Sequence, residues 1–241
     1  MIERADVILA RILIKTERAK KHLFDVESLA RSARKGITGF PDPKSKRHRS
    51  ESTLIVDISV ISGAGDVIHN LRSALDHLAW ELAKWETGLP REIEACCFPI
   101  GKSSGHYKSI KRKGVIAGMS PEAKKAIDDL RPYKGGNEPL WRIHHLDIVD
   151  KHRHILVAGY KIIFSGTGLP GTFSFVKEEP AYFLGLFDDD FNGEDKSAFQ
   201  PTAAELEIAH MKPLIPSLHE LLIFTEDLIK NFKPMLGLRK S

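Results

Sequence analysis

Cysteine is scarce in this chain of 241 residues: there are two, Cys96 and Cys97, and they are adjacent. Neighbouring Cα atoms lie too close for relaxed disulfide geometry, and two thiols are too few for a structural zinc site. A secreted disulfide framework is therefore excluded, and a reducing, cytoplasmic compartment is expected. Long apolar runs are also missing. No stretch approaches the roughly 18 residues of a membrane-crossing helix. The opening MIERADVILARILIKTERAKK sets acids and bases among its apolar residues. That is not the pattern of a secretory signal, so no membrane association is expected. Charge of one sign is missing as well: 36 Lys+Arg stand against 32 Asp+Glu, for a net +4. Such a balance permits nucleic acid as a partner without demanding it. Several enzyme templates are absent: GxSxG, GxxxxGK[ST] and GxGxxG. Gly63-Ala-Gly65 has no third glycine at the place a dinucleotide loop needs.

What is present is enough apolar sequence, 42% of residues, to build a core. Residues 2 to about 35 read as a long amphipathic helix, with Ile2, Val7, Leu9, Ile12, Leu13, Leu23, Val26, Leu29 and Ala30 recurring mostly at three- and four-residue steps. Gly36 supplies a stop. GITGFPDPKSKRHRSES (36–52) reads as a linker, and its basic run at 44–49 is either a solvated loop or a phosphate contact. TLIVDISVIS (53–62) has the composition of a strand, although its second half also suits the start of the next helix. That next helix spans about 64–86, with Leu71, Ala74, Leu75, Leu78 and Leu82 as its apolar stripe. Residues 89–120 read as irregular, with a basic KSIKRKG segment. Ser120 followed by Pro121 marks a helix start, Pro132 its end, and 134–137 a turn.

A further helix is expected over 139–152. Segments 154–164, 171–177, 181–187 and 204–211 are rich in β-formers. DDDFNGEDK (188–196) is an acidic loop that resembles a calcium loop only loosely, because Phe191 interrupts the oxygen ligands. A last helix covers 213–235. The expected fold class is α+β: one domain over 1–241, mainly a helical bundle (1–36, 62–88, 120–153, 213–236) with a small antiparallel sheet inserted at about 154–211.

Two segments gather the chemistry. HNLRSALDHLAW (69–80) places His69, Asn70, Arg72, Asp76 and His77 around a helix that already has a core face. Arg72 and Asp76 are one turn apart, so the carboxylate can hold the guanidinium. Asn70 and His77 lie together on the other flank, and His69 and Ser73 point away from the core. The bland alternative is a surface ion pair worth a few tenths of a kcal/mol.

The second segment, WRIHHLDIVDKHRH (141–154), packs four His, two Asp, one Lys and two Arg beside an apolar face of Ile143, Leu146 and Val149. Three readings stand. One is a metal site from His144, His145, Asp147, Asp150 and His152, whose ligand types suit Zn, Mn or Fe. Another is a phosphate or acid–base patch, in which Lys151 and Arg153 hold phosphate, His152 moves protons and Asp150 stands beside them. The third is a helix-end ion network set against the macrodipole.

Arg72-Ser-Ala-Leu-Asp-His77 resembles the Arg-x4–6-His motif of the HEPN superfamily, helical-bundle proteins that include many metal-independent ribonucleases of toxin and antiphage systems. The family often carries an amide, acid or His directly after the Arg; here that residue is Ser73. The wider string Gly65-Asp-x-x-His69-Asn-Leu-Arg72-x-Ala-Leu-Asp-His77, with Asp150-Lys151-His152-Arg153 downstream, also resembles a group of uncharacterised bacterial and phage proteins. The HEPN resemblance implies catalysis by Arg72 and His77, oriented by Asn70 and Asp76, at a homodimer interface. His69 and residues 150–153 would serve as substrate contacts, RNA as partner, and no cofactor would be needed. Basic segments 44–49 and 108–113 would touch the RNA backbone. Two alternatives remain open at this point: a non-catalytic interaction or ligand-binding module with a structural polar network, and a metal-dependent hydrolase that uses both His/Asp clusters.

Overall fold

The apolar three- and four-residue steps seen in the sequence become six helices among the described residues. They are α1 (Arg4–Lys35), α2 (Ile58–Ala83), α3 (Ser104–Arg112), α4 (Pro121–Asp129), α5 (Glu138–His152) and α6 (Leu214–Asn231), the last followed by a 3-10 turn at Lys233–Met235. The structure, a computed structural model, describes residues 3–35, 49–55, 58–84, 97–152, 156–166, 173–178, 182–186 and 214–238, with side chains placed for 3–30, 59–84, 97–151 and 214–238. The linker over 36–48, the acidic loop at 188–196, the segment 204–211, Cys96 and Arg153 lie outside the described residues.

The α+β expectation is corrected. Every regular element with placed side chains is a helix or 3-10 turn, so the body of the molecule is all-α. The extended backbone segments β1 (Arg49–Ile55), β2 (Leu156–Gly166), β3 (Phe173–Glu178) and β4 (Tyr182–Leu186) pair antiparallel with β2 in common. The physical reason is that β-branched composition reports a local preference for extended backbone. It does not report whether that backbone forms a layer of the core.

The chain divides into two compact units. The first comprises Met1–Lys21, Asp66–Ile148 and His219–Ser241; the second comprises His22–Gly65 and Val149–Leu218. In the first, Ile68, Leu71, Leu75 and Leu78 of α2 are fully buried, as are Ile127, Leu140, Ile143, Leu221 and Ile229. Burying one such side chain is worth about 1.5–3 kcal/mol before entropy is counted.

The buried stripe of α1 departs from the expected one. Ile8, Ile12, Thr16 and Ala19 are buried, whereas Val7 is 42% exposed and Ile14 53%. Steps of four, four and three route the face through two residues of weak hydropathy. Thr16 tolerates burial because its hydroxyl lies 2.9 Å from the Leu13 carbonyl and 3.0 Å from Glu226 Oε1.

Residues 104–112, expected to be irregular, form α3. Ser103 caps it by accepting from the His106 N–H at 3.2 Å, and Lys111 and Arg112 in its last turn complement the macrodipole. Nine residues bracketed by Gly101 and Gly114 are too few for periodicity to show in sequence. The expected Ser120 cap forms, accepting from Ala123 N–H at 3.1 Å, and Arg131 (φ 51°) with Pro132 ends α4. No helix among the described residues is long and apolar enough to cross a membrane.

In the second unit, a Cβ built on Gly63 would stand 2.7 Å from Val26 Cγ2, and one on Gly65 would stand 2.7 Å from Asp150 Oδ2. The Gly63-Ala-Gly65 run is thus a close-approach surface, where α2 lets a neighbouring side chain reach its backbone. Gly65→Ala is expected to destabilise the protein by about 1–3 kcal/mol in urea unfolding. The Gly65→Ala/Asp150→Ala double variant should recover part of that loss, because the clash is with the Asp150 carboxylate. A double variant no more stable than Gly65→Ala alone would locate the clash elsewhere.

Candidate active site

The site is built on α2 in the first unit, where the apolar stripe sets which polar residues turn inward. Arg72 follows Leu71 on the core side and is 7% exposed. A buried guanidinium needs acceptors. Its Nη2 donates to Asp76 Oδ1 at 2.7 Å, as expected for a pair one turn apart, and to the Phe98 carbonyl at 3.0 Å. The Phe98 N–H in turn donates to the same Asp76 Oδ1 at 2.8 Å. Both polar groups of one residue's backbone are thereby held by two side chains of α2. Arg72 Nη1 remains buried with no acceptor among the described residues.

His69 stands three residues before Arg72 and so on the neighbouring part of the same face. Its Nδ1 lies 3.1 Å from Asp147 Oδ1 on α5. Asp147 is 6% exposed as a residue, while the His69 side chain is 48% exposed. A buried carboxylate that holds Nδ1 leaves Nε2 as the ring nitrogen for other contacts. This contact joins the two His-rich segments of the sequence.

His144, one turn before Asp147, is held neutral. Burial lowers its pKa to about 4, the Arg72 charge pushes the same way, and Asp147 opposes them. Its ring sits 6.0 Å from that of Trp141, and the His145 ring sits 5.2 Å from Trp141.

The remaining candidates scatter. Asn70 is buried but donates to the Asp66 carbonyl at 2.8 Å, one turn back on its own helix, so it orients neither Arg72 nor His77. His77 is exposed. Five residues from Arg72, it lies about 140° around the helix, so the two motif residues do not converge within one chain. In the second unit, Asp150 sits against the α2 backbone at Gly65, and Lys151 is exposed. Only the backbone of His152 is described. Among the described residues no three His, Cys, Asp or Glu side chains are grouped so as to hold a metal ion.

The basic 108–113 segment is α3 and the turn after it. Lys111 donates to both Asp128 oxygens at 2.7 Å, and Tyr107 donates to Asp128 Oδ1 at 2.7 Å. Burial and then Asp128 push the Tyr107 hydroxyl far above its usual pKa, so it does not ionise near neutrality. Lys108, Arg112 and Lys113 are left exposed.

Sequence reasoning found the Arg72–Asp76 pair and named Asp147 as a metal-ligand candidate, but did not join His69 to Asp147 or Arg72 to Phe98. Asp147 had only its place on α5, one turn after His144, to single it out. The Phe98 backbone carries no sequence signal at all.

Two outcomes follow from this geometry. Asp76→Ala strands a buried cation and the Phe98 N–H together, and denaturant unfolding should show a loss of about 2–3 kcal/mol. His144 has its pKa lowered from 6.5 to about 4 in the folded state. Below pH 6.5 the unfolded chain takes up a proton that the folded chain refuses. Stability therefore falls with pH from about 6.5 to about 4, by up to about 1.4 kcal/mol per unit, and this contribution is intact above 6.5. Urea titrations at pH 7, 6 and 5 should show a shallower slope for His144→Gln than for the wild type; identical slopes would remove the assignment. No family model, curated protein or solved structure matches this chain.

Proposed function

We propose that the chain is a metal-independent endoribonuclease whose acid–base group is His69, held by Asp147, with Arg72 as the cation for the phosphate. The His69–Asp147 pair at 3.1 Å carries this reading, because it is the arrangement that orients an imidazole for proton transfer. The Arg-x4-His resemblance points to the same chemistry.

RNA brings its own nucleophile. His69 Nε2 takes the proton of a 2′-hydroxyl as that oxygen attacks the adjacent phosphorus. The bond from phosphorus to the 5′-oxygen breaks, and that oxygen leaves with a proton taken from water, to which His69 then returns its own. Products are a 2′,3′-cyclic phosphate and a 5′-hydroxyl. Arg72 Nη1, buried without an acceptor among the described residues, is the donor suited to the growing phosphorane charge. His77, exposed and on the far flank of α2, acts in this scheme only with a second copy of the chain, in keeping with the homodimer implied by the resemblance. Lys108, Arg112 and Lys113 supply backbone contacts, so affinity should fall with salt.

A second reading is favoured by a different observation. The Arg72–Asp76 hold on Phe98 is what a structural network in a non-catalytic interaction module would look like.

Purified protein incubated with total RNA in EDTA separates the two. The ribonuclease reading expects cleavage that His69→Ala lowers roughly a hundred- to ten-thousand-fold while the chain still folds. Asp147→Asn should fall in the same direction, and His77→Ala should lose activity only as far as dimerisation matters. Absence of cleavage by the wild type, or equal cleavage by wild type and His69→Ala, would leave the module reading.

A further inference from the structure

Arg142 on α5, in the first unit, is the most deeply buried cation among the described residues, with 2% of the residue exposed. Leu140 and Ile143, beside it on α5, are fully buried as well. A charge in such a place is costly unless it is paired and hydrogen-bonded. The pairing it has is weak. Nη1 lies 3.3 Å from Glu220 Oε2 on α6, and the Glu220 side chain is 58% exposed, so solvent screens most of its charge. Nε and Nη2 are buried and have no acceptor among the described residues.

Those two nitrogens are not an arbitrary pair. Nε–H and the adjacent Nη2–H point the same way from one edge of the planar guanidinium. That is the fork which takes two oxygens of a carboxylate or phosphate at once. Glu220 meets the remaining nitrogen and leaves this edge untouched.

We propose that the Nε/Nη2 edge of Arg142, between α5 and α6, is a binding site for the oxyanion group of a small molecule, carboxylate or phosphate. Two parallel charge-assisted hydrogen bonds in a dry setting would recognise such a group by geometry as well as charge. The site is separate from the His69–Asp147 pair, and its occupancy does not depend on ribonuclease activity.

The direct probe is the arginine Nε–H signal of 15N-labelled full chain, assigned by its loss in Arg142→Lys and followed as inorganic phosphate or acetate is added in phosphate-free buffer. The expected result is a saturable shift of the Arg142 signal with at least one anion, and the stronger of the two identifies the oxyanion class. At ten times the dissociation constant the melting temperature should rise by roughly 3–6 °C, and Arg142→Lys should lose that rise. Chloride at matched ionic strength should move neither reading. The proposal is overturned if neither anion shifts the signal saturably, if chloride acts equally, or if Arg142→Lys keeps the full thermal response. It is also overturned if Arg142→Met melts higher than the wild type while the wild type ignores both anions. That outcome would make Arg142 a costly buried charge with no ligand.

Discussion

The first unit depends on the way α2 holds the backbone at Phe98. A loop that runs against a helix must satisfy its own N–H and C=O groups, and here one residue's pair is satisfied from a single helix turn: Arg72 donates to the carbonyl and Asp76 accepts from the N–H. Because Asp76 Oδ1 also accepts from Arg72, the three groups form one closed network, in which removing any member breaks two bonds, one from each of the others. The apolar stripe of α2 brings Arg72 into the interior. The network makes that burial tolerable, and the position of Arg72 in turn helps to keep His144 neutral.

The same constraint sorts the motif residues by role. A helix offers one direction per residue, so a motif spaced by five residues cannot aim both ends at one point in a single chain. Arg72 goes in and His77 goes out. The partner that does share the Arg72 side of the helix is His69, and the residue that orients it comes from another helix. A short motif on one helix therefore names only the contacts made along that helix. The others are supplied by whichever helix lies alongside.

Charge burial recurs as a theme. Asp147, Arg72 and Arg142 are all nine-tenths buried or more, and each is answered differently: by an imidazole, by a carboxylate with a backbone carbonyl, and by a single solvated carboxylate. The net charge of +4 conceals this arrangement, because a sum does not record which charges are buried.

Local physics was legible in the sequence. The Ser120 cap, the end of α4 at Pro132, the α2 stripe and the Arg72–Asp76 pair all depend on neighbours within one or two turns, and composition and spacing report such neighbours faithfully. What tertiary structure decided lies between elements. It sent the inner face of α1 through Thr16 and Ala19, and turned Gly63-Ala-Gly65 into a packing surface. It also joined His69 to Asp147 across 78 positions of chain. Sequence spacing carries no record of which helix will lie beside which, because that depends on the shapes of faces packing together, and each face is shared among residues far apart in the chain.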